Sequence, residues 1–298
     1  MSDYAHRETD KILQKIETRL AKEYAQAYSE SRAKLDKYLE RFEDADEKMR
    51  KKLDEGKITD KQYKKWRRGK IATGRRYSAL VETLAQDYSN VNAIAMGIVR
   101  GELEGVFALN ANYAHYDIEQ QLDMDLSFTL YDRETVANLV KNSPSLLPNP
   151  SPDAVIDVRW NKQKIRSAIL QGILQGEPIS EISKRLGTVV GMDKSAAVRN
   201  ARTAMTGAQN AGRQQGFSDA REKGVIIKRI WIATDDRRTR HWHNELDGQE
   251  TDIGEPFVNA VGKIMYPGDP AADGANIYNC RCTLGSRVVG FDKEKIRG

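Results

Sequence analysis

The chain has 298 residues, of which 39% are hydrophobic and 31% are charged, and its net charge is +5 at pH 7. This length suits two domains, and the composition is typical of a soluble, helix-rich protein. No stretch approaches the roughly 18 uninterrupted apolar residues of a membrane-spanning helix, and the N-terminal sequence MSDYAHRETDK lacks the apolar centre of a signal peptide. The two cysteines are separated by one residue, which is unlike a secreted disulfide framework. We therefore expect no membrane span, and a reducing cytosol or a particle assembled there.

A helical pattern runs along residues 1–53. Its apolar positions recur every four and then every seven residues, at Ile12, Ile16, Leu20, Tyr24, Tyr28, Leu35, Phe42 and Met49. Gly56 is placed to end this helix, and Thr59 with Gln62 matches the capping box that opens the next one. A third long helix is predicted over 75–120. Together these segments predict a long N-terminal helical hairpin or bundle.

Positive charge is concentrated in residues 48–76, which hold 13 Lys and Arg residues against three acidic ones. A cluster of this density, with Tyr63 and Trp66 among the cations, can bind phosphate backbones by releasing counterions. The alternative is an ordinary solvated helix face. The candidate nucleic-acid-binding residues are Lys51, Lys52, Lys61, Lys64, Lys65, Arg67, Arg68, Arg75 and Arg76.

Four prolines punctuate residues 143–152, namely Pro144, Pro148, Pro150 and Pro152. Proline lacks a backbone N–H group and favours extended backbone, so this segment is predicted to be a stiff, exposed linker. It would separate a helical region at 1–142 from a second module at 153–298.

The second module begins with helical patterns, and Gly187 is expected to end one of its helices. Asp193 can cap a further helix that continues to about Lys223 and is rich in alanine, which allows a neighbouring element to approach closely. The β-branched and aromatic residues at 225–232 then predict a strand. The predicted fold class is therefore mainly α, with a smaller α+β C-terminal domain in which helices pack on a small sheet.

The residues that bear unusual chemistry are concentrated in 231–284. Asp235 and Asp236 suit the start of a short helix that would carry His243 and end at Gly248. After a stretch rich in Pro and Gly, Cys280 and Cys282 lie in a predicted extended segment, where their side chains would point the same way.

Four segments occur in order along this module: ARTAMTGAQNAGRQQGF (201–217), WIATDDRRTRHWHNELDGQ (231–249), PGDP (267–270) and NCRCTL (279–284). Together they resemble the C-terminal domain of phage minor head proteins, the Mu F-like head morphogenesis family, over about residues 160–290. The resemblance covers Arg202, Asn210, Asp235, Arg240, His243, Leu246, Asp247, Gly248, Asn279, Cys280 and Cys282. One departure is Ala204, where an acidic residue is expected in many relatives, so the role of that residue is not carried over.

Cys280, Cys282 and His243 offer the thiolate and imidazole ligands that Zn²⁺ selects, and they would make three of four tetrahedral ligands. Asp235, Asp236 or Asp247 are candidates for the fourth ligand. The alternative is that the cysteines are buried small hydrophobic residues and that His243 is a hydrogen-bonded core residue. A structural zinc site and a packed cluster both stay open, and in either case we expect the three side chains to lie together.

Catalytic motifs are poorly supported. His243 with Asn244 hints at a ββα-metal nuclease, but no histidine follows His243 in the sequence. Neither a GxxxxGK[ST] phosphate loop nor a GxSxG elbow occurs. A cysteine nucleophile could be assembled from Cys280 or Cys282 with His243, yet nothing in the spacing requires it. We therefore assign no catalytic residue.

The resemblance implies a non-enzymatic structural protein of a tailed phage, located at or near the portal vertex inside the head. It would support head assembly, DNA packaging or genome delivery, with the portal protein, the scaffold or major head protein and phage DNA as partners. We expect it in the host cytoplasm during assembly and then in the head interior. Some relatives carry an effector after this module, and none is expected here. The alternatives are a metal-dependent nuclease and a plain DNA-binding protein that acts through residues 48–76.

Overall fold

The computed structural model of the chain describes residues 3–150 and 154–292. The helices are α1 (Tyr4–Leu39), α2 (Glu43–Asp54), α3 (Asp60–Ile71), α4 (Gly74–Leu122), α5 (Arg133–Asn142), α6 (Ala154–Leu174), α7 (Ile179–Ile182), α8 (Leu186–Glu222), α9 (His241–Asn244) and α10 (Gly274–Ile277). The strands are β1 (Val225–Ile232), β2 (Glu250–Asp252), β3 (Phe257–Asn259), β4 (Gly262–Ile264) and β5 (Thr283–Phe291). Long helices with a small antiparallel sheet near the C-terminus confirm the predicted fold class. In the described ranges, no helix combines the length and the apolarity needed to cross a bilayer.

The chain forms two compact units, and each unit is assembled from separate stretches of sequence. Unit 1 contains Met1–Glu17, Gly97–Pro150 and Val198–Gly298, and unit 2 contains Thr18–Met96 and Ser151–Ala197. Residues 1–142 and 153–298 therefore each contribute to both units. That the chain divides at the linker into two modules that fold independently stays a prediction.

The predicted linker is described only up to Pro150, and residues 151–152 lie outside the described residues. Leu147 is buried, and a Cβ atom added to Gly207 would lie 2.7 Å from Cγ of Pro148. This part of the linker therefore packs on α8 within unit 1 and is not fully exposed. Burial of the apolar Leu147 side chain stabilises this packing.

The core of unit 2 is made of the apolar faces of its helices. Its fully buried members include Leu20, Leu35, Val81, Leu84, Ile165, Ile169, Ile173, Ile182 and Leu186. A polar chain joins three helices beside this core: the hydroxyl of Tyr24 donates to Asn92 Oδ1 at 2.5 Å, and Asn92 Nδ2 donates to both carboxylate oxygens of Asp157. Because buried polar groups are costly without partners, these bonds favour one alignment of α1, α4 and α6.

Helix ends in unit 2 follow local sequence signals in some places and tertiary packing in others. Gly56 takes a positive φ of 69° beyond α2, and Thr59 with Gln62 forms a complete capping box at the start of α3. The predicted stop at Gly187 is wrong, since α8 continues through it. A Cβ atom at Gly187 would lie 3.4 Å from the ring of Tyr28, an ordinary van der Waals distance, so Gly187 lies against α1 within the helix.

The larger sheet of unit 1 has the strand order β2-β1-β5, a second sheet pairs β3 with β4, and all pairs are antiparallel. On the outer edge of β5, Asn210 Oδ1 accepts the Leu284 N–H at 2.8 Å, and Arg213 donates to the Leu284 carbonyl at 2.7 Å. Gln121 Oε1 accepts the Val288 N–H at 2.9 Å farther along the same edge. These helix side chains satisfy an edge that would otherwise invite another strand.

Helices α4 and α8 cross in close backbone contact within unit 1. A Cβ atom added to Gly212 would lie 2.3 Å from the carbonyl oxygen of Phe107, and one added to Gly216 would lie 2.8 Å from that of Ala111. Such distances are closer than any real Cβ contact, so glycine is required at the crossing. The predicted close approach to α8 is therefore achieved by glycines set among the alanines.

We expect Gly212→Ala to destabilise the protein by about 1–3 kcal/mol or more, because the helices must separate to admit the methyl group. Gly101→Ala is the matched control, since Gly101 lies inside α4 with open space around its Cβ position. This control should be neutral or stabilising by up to about 1 kcal/mol. Urea unfolding of the two variants checks the prediction, and equal free energies of unfolding would contradict it.

Candidate metal centre

His243, Cys280 and Cys282 come together in unit 1. Nδ1 of His243 lies 3.6 Å from Sγ of Cys280 and 3.5 Å from Sγ of Cys282. The three candidate ligand atoms all lie within 4.8 Å of one another, and all three side chains are buried. The cluster belongs to the hydrophobic core that also contains Trp231 and Leu284.

His243 is positioned by a loop that returns to the end of β1. The Trp231 N–H donates to the Gln249 carbonyl at 3.0 Å, and the Gly248 N–H donates back to the Trp231 carbonyl at 2.8 Å. Gly248 has a φ of 73°, which favours glycine. This closure holds α9 against β1, where the Trp231 and His243 rings meet edge to face at 5.3 Å. The helix is shorter than the sequence predicts, because the residues after Asp236 form turns and Arg240 stays extended.

The cysteine segment is held by threonine side chains from two elements. Thr203 Oγ1 accepts the Asn279 N–H at 2.8 Å, and Thr206 Oγ1 donates to the Cys280 carbonyl at 2.7 Å. Thr234 Oγ1 donates to the Arg281 carbonyl at 2.8 Å. The predicted extended segment becomes a strand only after Cys282, where β5 begins at Thr283. Before that point the backbone forms no regular strand and is fixed by these side chains.

One sulfur of the pair is stabilised as a thiolate. A hydrogen bond from the Cys280 thiol and the nearby His243 ring lower the pKa of Cys282, although burial opposes this shift. The interaction with Cys282 and burial raise the pKa of Cys280. The Cys282 N–H also points at Cys280 Sγ, at 3.4 Å. The cluster is therefore prepared to present negative charge on sulfur beside imidazole nitrogen.

The donor set and its spacing fit a zinc ion. Zn–S bonds of about 2.3 Å and Zn–N bonds of about 2.0 Å at a tetrahedral angle separate sulfur from nitrogen by about 3.5 Å. The observed separations of 3.5 and 3.6 Å match this value. Nδ1 is the ring atom of His243 that faces the sulfurs, and within the described residues Nε2 is buried without a hydrogen-bond partner.

The aspartates considered for a fourth ligand lie outside the Cys/His cluster. Asp236 pairs with the guanidinium of Arg281, which lowers the pKa of the carboxyl group. Asp247 Oδ1 accepts the Ala233 N–H at 2.8 Å, and Asp235 is exposed. Among the residues that the structure describes, the grouping of ligand side chains contains only His243, Cys280 and Cys282. A water molecule could complete the coordination.

The other residues of the motif connect the segments around this cluster. Asn210 Nδ2 donates to the carbonyls of Pro267 and Cys282, at 3.1 and 3.3 Å. Arg240 donates to the Tyr278 carbonyl. Arg202 lies 2.8 Å from Glu17 and 3.4 Å from the Asn279 side chain, whose backbone has a φ of 57°. These contacts support the positions of the cysteines.

The sequence did not reveal the supporting roles of Thr203, Thr206 and Thr234. Threonines of this kind are common in helices and at strand ends, and only the folded chain shows which carbonyls they reach. The asparagine at position 279 is the one local signal in the sequence that could have been used. Asparagine is enriched at positive φ, the conformation that Asn279 adopts.

The candidate nucleic-acid-binding residues lie in unit 2, and the structure corrects the prediction for one of them, Arg67. Lys51, Lys52, Lys61, Lys65, Arg68, Arg75 and Arg76 are exposed, and Lys64 is half-buried beside Asp60. Arg67 is fully buried, with Nε 2.9 Å from Asp46 and Nη2 donating to the Glu177 carbonyl at 2.6 Å. Arg67 therefore joins α3 to α2 and to the turn after α6, and it is not available to a nucleic acid.

Comparison with known proteins gives the family of the C-terminal part. A family model described as phage Mu protein F like protein matches residues 163–285. NAD(+)–arginine ADP-ribosyltransferase EFV of Enterococcus faecalis is 31% identical over 225 residues, which span 72% of this chain and 45% of that protein. Minor head protein GP7 of Bacillus phage SPP1 is 25% identical over 277 residues, which span 92% of this chain and 83% of that protein.

No solved structure matches the chain significantly. The family model covers the four quoted segments, from ARTAMTGAQNAGRQQGF to NCRCTL, and with them the Cys/His cluster and its supporting contacts. Residues 163–285 therefore form a domain of the phage Mu protein F-like family.

Proposed function

We propose that this chain is a structural minor head protein of a tailed phage, which supports head assembly and DNA packaging or genome delivery. The alignment with minor head protein GP7 supports this proposal, because it spans most of both proteins and includes the N-terminal helices. In this proposal the protein contacts the portal and the scaffold or major head protein in the host cytoplasm, and then remains in the head interior.

The observation that carries a structural role is the burial of the Cys/His cluster. His243 is 1% exposed and each cysteine is 2% exposed, so a macromolecular substrate cannot reach them. We propose that His243, Cys280 and Cys282 hold a structural zinc ion. When bound, the ion would tie the loop after β1 to the segment before β5 and would add its binding free energy to folding.

An enzymatic role is the alternative. The activity in the name of the Enterococcus faecalis relative belongs to that protein, and this chain aligns with less than half of it. We expect the purified chain to show neither plasmid nicking with Mg²⁺ or Zn²⁺ nor NAD⁺ hydrolysis. Metal-dependent nicking that is lost in His243→Ala but kept in His241→Ala would replace the structural proposal with a nuclease.

Mass spectrometry of purified virions, before and after genome ejection, tests the structural role. We expect the chain in full heads at a low, fixed ratio to the portal protein, with cross-links to that protein. Its presence only in infected-cell lysate, and not in virions, would contradict the proposal. Loss of the chain after ejection would favour genome delivery over assembly.

We further propose that the exposed cations at 48–76 bind phage DNA without sequence preference. The logarithm of the binding constant should fall steeply with the logarithm of salt concentration, and each lost phosphate contact should reduce the slope by about 0.9. Lys61→Glu with Lys65→Glu should flatten this dependence. Lys184→Glu is the control, because Lys184 is exposed but lies outside the cluster and pairs with Glu181. Binding that is independent of salt would contradict the proposal.

A further inference from the structure

A cavity of about 400 Å³ lies in unit 2 where α4 begins. Its polar lining consists of Arg68 from α3, Arg166 from α6, and Thr73, Tyr77 and Ser78 around the first turn of α4. Arg67 donates to the carbonyls of Ile173 in α6 and of Glu177 beyond it, which fixes α3 beside that helix. Arg68 and Arg166 line the same space. The cavity is thus a defined feature of the fold and not a chance gap on one helix.

The charge in this cavity is uncompensated. The two segments that line it, 61–81 and 158–176, contain no Asp or Glu. Lys162, which lies one helical turn before Arg166 in α6, pairs with Glu82. Arg68 and Arg166 have no carboxylate partner among the described residues. Two guanidinium groups that share a concave site without an acid attract an anion, and their forked N–H groups match the oxygens of phosphate.

Tyr77 adds a phenol to the lining of the same cavity. Tyr77 is only 7% exposed, and its hydroxyl makes no hydrogen bond within the described part of the chain. Burial raises the pKa of Tyr77, and Arg166, which lines the same cavity, opposes this shift. A neutral phenol of this kind is a hydrogen-bond donor for an anionic oxygen.

The start of α4 adds backbone donors to the same site. The helix is 49 residues long, begins at Gly74 with a φ of 89° and has no acidic residue in its first turn. Its first N–H groups have no partners within the helix, and its dipole is positive at this end. Arg75 and Arg76 extend the exposed positive charge beyond the mouth of the cavity.

We propose that this cavity binds one phosphate group of a polynucleotide backbone, with Arg68 and Arg166 as its charged ligands and Tyr77 as a donor. The inference rests on the proposed nucleic-acid binding by residues 48–76 and extends it to α6. A polynucleotide fits better than an isolated anion, because the exposed cations on either side of the cavity can contact the neighbouring phosphates.

Binding of random-sequence duplex DNA to the full chain tests the proposal across a series of salt concentrations. Arg166→Gln should reduce the salt slope by about 0.9, the value for one phosphate contact. Lys162→Gln is the matched control, since it removes a cation of the same helix that is already paired with Glu82, and its slope should equal that of the wild type. Tyr77→Phe should weaken binding with little change of slope, because it removes a donor and no charge.

Inorganic phosphate separates the sources of the anion. At constant ionic strength it should raise the Tm of the wild type by mass action and leave that of Arg166→Gln unchanged. Stabilisation by phosphate together with an unchanged DNA slope in Arg166→Gln would mean a site for free phosphate only and would overturn the proposal. If Arg166→Gln matches the wild type while Lys61→Glu with Lys65→Glu flattens the slope, the proposed phosphate site in the cavity is wrong, and the proposed DNA binding by residues 48–76 is supported. If the wild type does not bind DNA at low salt, both proposals are wrong.

Discussion

Replacement of Cys282 by Ser is expected to abolish stoichiometric zinc and to lower the free energy of unfolding of the C-terminal domain by several kcal/mol. The effect follows from linkage: a ligand present at a thousandfold excess over its Kd stabilises the folded state by about 4 kcal/mol. The unfolded chain has no preformed site, so loss of the metal removes this stabilisation. Thermal unfolding with and without a chelator, beside metal analysis, measures both parts of the prediction.

The matched pair His243→Ala and His241→Ala provides the control. His243 is buried in the cluster, whereas His241 is exposed two residues away, with its ring beside that of Trp242. We expect His243→Ala to reproduce the loss of zinc and His241→Ala to retain it. If the cluster is only packed, the chelator should change nothing, and Cys282→Ser should cost about 1–3 kcal/mol without any metal signal.

Arg67→Ala is expected to destabilise unit 2 by about 3–5 kcal/mol, the cost of leaving a buried charge without its partner. Asp46 is 5% exposed and would lose the cation 2.9 Å away. The carbonyls of Ile173 and Glu177 would lose their donors as well. Denaturant unfolding of the full chain measures the change, with circular dichroism to follow the helices.

Arg68→Ala is the control for Arg67, because it removes the neighbouring but exposed arginine of the same helix. We expect its stability to stay within about 0.5 kcal/mol of the wild type, while its affinity for DNA falls. The reverse pattern, with normal stability and weak DNA binding in Arg67→Ala, would show that Arg67 faces solvent and would contradict the described packing.

Local signals in the sequence predicted the parts of the fold that depend on neighbours in the chain. The capping box at Thr59 and Gln62, the stop at Gly56 and the strand at 225–232 all occur as expected. The third helix was predicted over 75–120 and spans Gly74–Leu122. In each case, the backbone preference and the hydrophobic period act in the same direction.

Other features could not be predicted, because they depend on contacts between distant segments. Gly187 has the identity of a helix stop but lies inside α8, next to Tyr28 of α1. Arg67 is surrounded in sequence by exposed cations, and only the packing of α3 shows that it is buried. Charge alone therefore overestimates the surface that is available to a nucleic acid.

The residue types of the candidate site could be predicted from the sequence, but the backbone that positions them could not. Cysteine and histidine types indicated that Cys280, Cys282 and His243 would lie together, and the structure brings their candidate ligand atoms within 4.8 Å of one another. The irregular backbone of the cysteine segment was not predictable, since it is imposed by threonines from α8 and from the loop after β1. No local pattern in the sequence identifies a fourth ligand either.

X-ray absorption at the zinc edge, on the full chain purified without added metal, tests the central claim most directly. A structural site at His243, Cys280 and Cys282 predicts about one zinc ion per chain, with two sulfur ligands at about 2.3 Å and at least one nitrogen or oxygen ligand at about 2.0 Å. A metal-free chain that unfolds at the same temperature with and without zinc, and whose two thiols titrate freely once it is unfolded, would contradict the account.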